Sequence, residues 1–112
     1  MRKWNRVMAL TRDFIATIKE RAEKDPKFRI DLLTEAAECF LNGDVDTGKT
    51  LLRDYVNATI GFPQLAKELD KKPESLMRML STKGNPRAEN LAQLLCSLQE
   101  HEGIELHVAA GR

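Results

Sequence analysis

Cysteine is scarce: the 112 residues hold two, Cys39 and Cys96, 57 positions apart, with no Cys-x-x-Cys pair and no histidine at ligand spacing. A disulfide scaffold or a structural zinc site needs more than this. Both cysteines fall on apolar helical stripes of the sequence, so two buried free thiols are expected. Long hydrophobic runs are missing too; none nears the ~20 residues of a membrane span. The basic start Met1-Arg-Lys-Trp-Asn-Arg6 is not followed by the apolar stretch of a secretory signal. The expected location is therefore the cytoplasm. Six glycines and four prolines are too few for a linker or low-complexity segment, so each reads as punctuation. Aromatic residues make up 5%, and the single tryptophan, Trp4, sits in a leader over 1–10 that reads as a flexible arm.

Charge of one sign is lacking overall, with a formal net of +1, but its distribution is uneven. Residues 31–60 carry six acids against two bases, a net of −4, and residues 61–87 carry six bases against three acids, a net of +3. One stretch can approach phosphate and the other cannot.

What is present is helical periodicity. Thr11 can cap a helix with Phe14, Ile15, Ile18 and Ala22 inward. Asp25-Pro26 starts a second, whose stripe is Leu32, Leu33, Ala36, Ala37, Phe40 and Leu41, stopped by Asn42-Gly43. A third begins at Asp44 or Asp46 with Leu51, Leu52, Tyr55, Val56 and Ile60 inward, ended by Gly61 as a left-handed cap. Two short helices follow, over 63–69 and 73–80. Asn85-Pro86 reads as the cap of a longer one carrying Leu91, Leu94, Leu95 and Leu98, closed by Gly103. Ile104, Leu106 and Val108 alternate with Glu105 and His107, the period of a half-buried strand. A lone strand needs a partner for its backbone groups; a second copy of the chain is the simplest. The expected fold is all-α: a helix bundle with a helix-turn-helix and one short C-terminal strand, in a single domain over 11–108 with a tail at 109–112.

The helix-turn-helix lies at 62–81. That motif sets two short helices at about 90–120° across a tight turn. Ala66 supplies the small residue at the crossing, and Leu65, Leu69, Leu76 and Met79 supply the apolar positions around it. The turn position, often glycine, is Asp70, which tolerates the left-handed conformation better than most residues. The second helix then offers Lys72, Glu74, Ser75, Met77 and Arg78 to base edges in a major groove. Arg78 matches guanine, Glu74 matches cytosine N4, and serine suits either. Gln64, Lys71, Ser81, Thr82 and Lys83 fall where phosphate contacts position a protein without reading sequence. The bland reading stands beside this one: such helix pairs also occur in bundles that touch no DNA, and Arg78 can simply pair with Glu74 four residues earlier.

The run Glu74-Ser-Leu-Met-Arg-Met-Leu-Ser81, followed by Lys83-Gly-Asn-Pro86, a leucine-rich helix and a short strand, resembles the addiction-module antidote proteins. Phe40-Leu-Asn-Gly-Asp44 and Leu51-Leu-Arg-Asp54 are similar to that family's earlier helices, so the resemblance spans about residues 38 to 108. It implies a phage-repressor-like helix-turn-helix and a bacterial, usually dimeric regulator of transcription. Such a regulator represses the operon of a toxin that it also binds. Phe62 stands where repressor-like motifs often carry a phosphate-binding glutamine, and the helical pair over 11–42 is longer than the family's usual one.

Gly43-Asp-Val-Asp-Thr-Gly-Lys-Thr50 matches the phosphate-loop pattern letter for letter. The context argues against it. That loop needs a β-strand before it and a parallel sheet around it, whereas residues 32–41 have helical spacing. Asp44 and Asp46 would also repel the anion. The segment is expected to be a helix stop and an aspartate-capped helix start. His101 and His107 have no metal-ligand partners, no nucleophile–base set is apparent, and no metal or cofactor is expected. The expectation is a non-enzymatic DNA-binding protein. The competing reading is a protein-interaction module whose helix-turn-helix is purely structural.

Overall fold

The computed structural model describes residues 12–111. The arm at 1–10, the cap at Thr11, and the side chains at Phe14, Ile15 and Ile18 lie outside what is described. The described residues form six helices: α1 Arg12–Lys24, α2 Pro26–Leu41, α3 Val45–Ala58, α4 Phe62–Glu68, α5 Pro73–Met79 and α6 Ala88–Glu102. None is long and apolar enough to cross a membrane.

The starts of α2 and α3 follow from local chemistry. Asp25 Oδ1 accepts the Phe28 N–H at 3.2 Å, and Pro26 takes the first turn, where its missing donor costs nothing. Asp44 Oδ1 accepts the Thr47 N–H at 3.3 Å. Each cap contributes about 1 kcal/mol. Gly43, at φ 82°, makes the left-handed turn between the two helices.

The core is a single cluster. Leu32, Leu33, Ala36 and Cys39 of α2 face Leu51, Leu52, Tyr55 and Val56 of α3. Phe62, Leu65 and Ala66 of α4, Leu76 of α5, and Leu94 and Leu98 of α6 close over them. Polar ties fix α6 at one end. Glu102 takes the Arg29 Nε of α2 at 3.0 Å and also accepts the Tyr55 hydroxyl of α3. Burial and this carboxylate push the Tyr55 phenol well above its ordinary range.

Several expectations need correcting. No strand forms among the described residues. Residues 104–111 belong to no helix or strand, Ile104 and Leu106 lie half-buried against the core, and Val108 is 79% exposed. The physical reason is that a single segment of this kind has no second strand to pair with among the described residues. Cys96 is exposed rather than buried, because Leu94 and Leu98 take the inward stripe of α6. Leu41, at the last turn of α2, is 67% exposed. Asn85-Pro86 does not cap α6; residues 84–87 lie outside any helix, and Arg87, in an extended conformation, is the residue before it. α3 stops at Ala58, with Thr59 and Ile60 beyond it. Gly61 has φ 82° but ψ 151°, so it is an extended entry to α4 rather than a left-handed cap.

Candidate nucleic-acid interface

α4 and α5 are seven residues each and meet across a four-residue connection. Ala66 is 1% exposed, and Leu65 and Leu76 are fully buried beside it. Leu69 and Met79 are partly buried against the same cluster. The connection turns at Asp70, whose φ of 55° makes it the one non-glycine residue with positive φ among those described. The Lys71 N–H bonds the Ala66 carbonyl at 2.9 Å, and the Asp70 N–H bonds the Lys67 carbonyl at 3.3 Å. This double bond pattern is the usual way to close a helix with a left-handed residue. Aspartate therefore occupies a position that suits glycine.

The outward residues of this unit are available. Lys72, Glu74, Ser75, Met77 and Arg78 are all exposed, Met77 to 51%. Arg78 does not pair with Glu74. Thr82 and Lys83 are exposed, while Lys71 and Ser81 are half-buried and the Ser81 hydroxyl donates to the Arg78 carbonyl at 2.8 Å. Gln64 is exposed on α4, but its amide donates to Glu68 Oε2 at 3.2 Å. Glu68 also meets His101 of α6 at 2.7 Å, and these contacts hold its carboxyl below the usual carboxylate range, His101 contributing most. Gln64 thus stands beside a carboxylate, a less favourable neighbour for phosphate than Lys83 has.

A cleft of about 260 Å³ opens between α5 and the loop after it. Its walls bring together Ser75, Arg78 and Lys83 from the expected set, with Met79, Gly84 and Asn85. No acidic side chain lines it. The four polar side chains Ser75, Arg78, Lys83 and Asn85 make no hydrogen bond or ion pair with other described residues.

The loop wall of that cleft is held from below by α3, which the sequence pattern did not reveal. Lys49 is 3% exposed, and its ammonium donates to the Gly84 carbonyl at 2.7 Å and to the Thr82 carbonyl at 3.5 Å. Arg53 Nη1 donates to the Leu80 carbonyl at 3.2 Å, so a second cation closes the C-terminal end of α5. Cations there also complement the helix dipole. Gly84 passes so close to α5 that an added Cβ would lie 2.0 Å from the Arg78 carbonyl oxygen. No side chain but hydrogen fits.

These contacts also account for the phosphate-loop letters. Residues 43–50 follow helix α2 rather than a strand, and α3 begins at Val45. A Cβ at Gly48 would meet the Phe40 ring at 2.8 Å, so this glycine lets α2 and α3 approach. Lys49 is taken up by carbonyls, with Asp46 at 3.8 Å. No cluster of three or more metal-ligating side chains occurs among the described residues. Comparison of the chain with family models, curated proteins and solved structures gives no match.

Proposed function

We propose that the chain is a sequence-specific DNA-binding regulator of transcription that acts as a homodimer without catalysing a reaction. The observation that carries this reading is the pairing of two surfaces. The outward face of α5 leaves Lys72, Glu74, Ser75, Met77 and Arg78 exposed, and it borders a cleft rimmed by two cations and no acid. α4 and α5 then act as a helix-turn-helix. α5 enters the major groove, and Thr82 and Lys83 meet phosphates beside it. Two such subunits read half-sites about 34–36 Å apart. The resemblance to addiction-module antidote proteins supports a narrower role as the antitoxin and autorepressor of a toxin–antitoxin operon, with a toxin as second partner.

The test is selection of duplexes from a random pool, followed by binding at several salt concentrations. Arg78→Ala relaxes sequence preference at one position, a change of about 1–3 kcal/mol. Lys83→Ala weakens all duplexes alike and flattens the salt slope by about one phosphate contact. Failure to enrich any sequence, together with unchanged binding in both variants, sinks the reading. It would leave the protein-interaction module, with α4 and α5 as packing elements. Co-purification with the product of an adjacent short reading frame tests the toxin-binding role.

A further inference from the structure

The segment after α6 alternates as an extended chain does, with Ile104 and Leu106 half-buried and Glu105 and His107 exposed, and its two edges differ. The Ile104 N–H bonds the Gln99 carbonyl at 3.1 Å, and the Leu106 N–H bonds the Gln99 side-chain oxygen at 2.8 Å. Both point back at the chain's own α6. In an extended chain the N–H and C=O of one residue share a side, and the side alternates from residue to residue. Glu105 and His107 therefore present their backbone groups to the other edge, where they have no partner among the described residues. Their side chains are exposed on one face, 3.4 Å apart. The opposite face carries Ile104 and Leu106, packed against the core, and Val108, which is not.

From this asymmetry we infer that residues 104–108 pair antiparallel with the same residues of a second copy, in a register centred on Leu106. The two-fold places Glu105 opposite His107 of the other copy, twice, as hydrogen-bonded pairs. An imidazole can donate to a carboxylate in either tautomer, and it attracts it further when protonated. The same register sets Ile104 opposite Val108, so each face of the ladder matches like with like or acid with base. Centring the pair on residue 105 instead would oppose two carboxylates. Exposed apolar surface is continuous with the pairing: Val108 and Leu41, 79% and 67% exposed, line one cavity of about 140 Å³ with Leu106. The second copy's tail runs over this spot.

The inference supplies an interface for the dimer of the proposed regulator, but it is measured without DNA, so the two can fail separately. The probe is the full chain in sedimentation equilibrium from micromolar to millimolar concentration. The unmodified chain dimerises. Glu105→Lys and His107→Glu each weaken the dimer by roughly ten-fold, and an equimolar mixture of the two variants recovers it as a heterodimer. His107→Pro, which removes one free-edge N–H, gives a folded monomer. A monomer at every concentration overturns the inference, as does a dimer indifferent to His107→Pro. A Glu105→Lys chain that dimerises as well as its parent overturns the register. Pairing of the tail with a strand of a different protein, in place of self-association, overturns the choice of occupant.

Discussion

Replacing Lys49 by methionine separates two accounts of the same letters. Methionine keeps the length and most of the volume of the stem, so no large cavity opens. What disappears is an ammonium 2.7 Å from the Gly84 carbonyl and 3.5 Å from that of Thr82. A hydrogen bond to a charged donor contributes about 1.5–3 kcal/mol. The variant leaves two carbonyls to find water, and it recovers part of the cost of burying an ammonium that is 3% exposed. The net expectation is a loss of about 2 kcal/mol, which lowers the thermal midpoint by about 8 °C in a chain of this size. Thermal and urea unfolding followed by circular dichroism read it directly. If Lys49 instead served a nucleotide, the variant would unfold like its parent and lose only nucleotide binding. Stability within about 0.5 kcal/mol of the parent would refute the role assigned to Lys49. The same variant should bind every selected duplex more weakly, because the loop bearing Thr82 and Lys83 loses its anchor.

Two further substitutions test the packing beneath the interface. Gly84→Ala must displace backbone, since its Cβ would sit 2.0 Å from the Arg78 oxygen and 2.7 Å from that of Met79. A loss of about 3 kcal/mol in urea titration is expected, and an unchanged midpoint would mean the loop is free to move away. Asp54, 4% exposed on α3 with Oδ2 lacking a partner, has its carboxyl pushed from 3.8 up to about 6 by burial, against the pull of Arg53. Between those values the folded chain holds a proton that the unfolded chain releases, so stability falls as pH rises and stays lower above the upper value. Asp54→Asn should therefore be more stable than its parent by about 2–3 kcal/mol above pH 6. It should match its parent in acid below the ordinary carboxylate value. Parallel pH profiles for the two proteins would contradict this.

Much of the fold is legible in the sequence because helix boundaries are local chemistry. Asp25-Pro26, Asp44 and Gly103 act within one turn of themselves, and each ends or starts a helix where its side chain or lack of one requires. The Ala66 spacing likewise places a small residue at the crossing of α4 and α5, and Asp70 takes the left-handed turn. Asn85-Pro86 does not start α6, for a reason that is not local. Gly84 is held between Lys49 and the end of α5, and the next helix starts only at Ala88. Cys96 is exposed, against its place on the stripe, because an apolar stripe read from leucines is wider than the face that meets the core.

The sequence by itself determined most of the helices, their order, and the basic stretch beside the acidic one. These depend on neighbours three or four positions away, and periodicity records such neighbours. Only the tertiary structure decided which polar groups meet across the fold. Lys49 reaches a carbonyl 35 residues on, and Glu102 meets Arg29 73 residues back. It also decided which edge of the last segment is spent on Gln99 and which has no partner among the described residues. Contacts of that kind leave no period in the chain, because their geometry exists only after the core has closed.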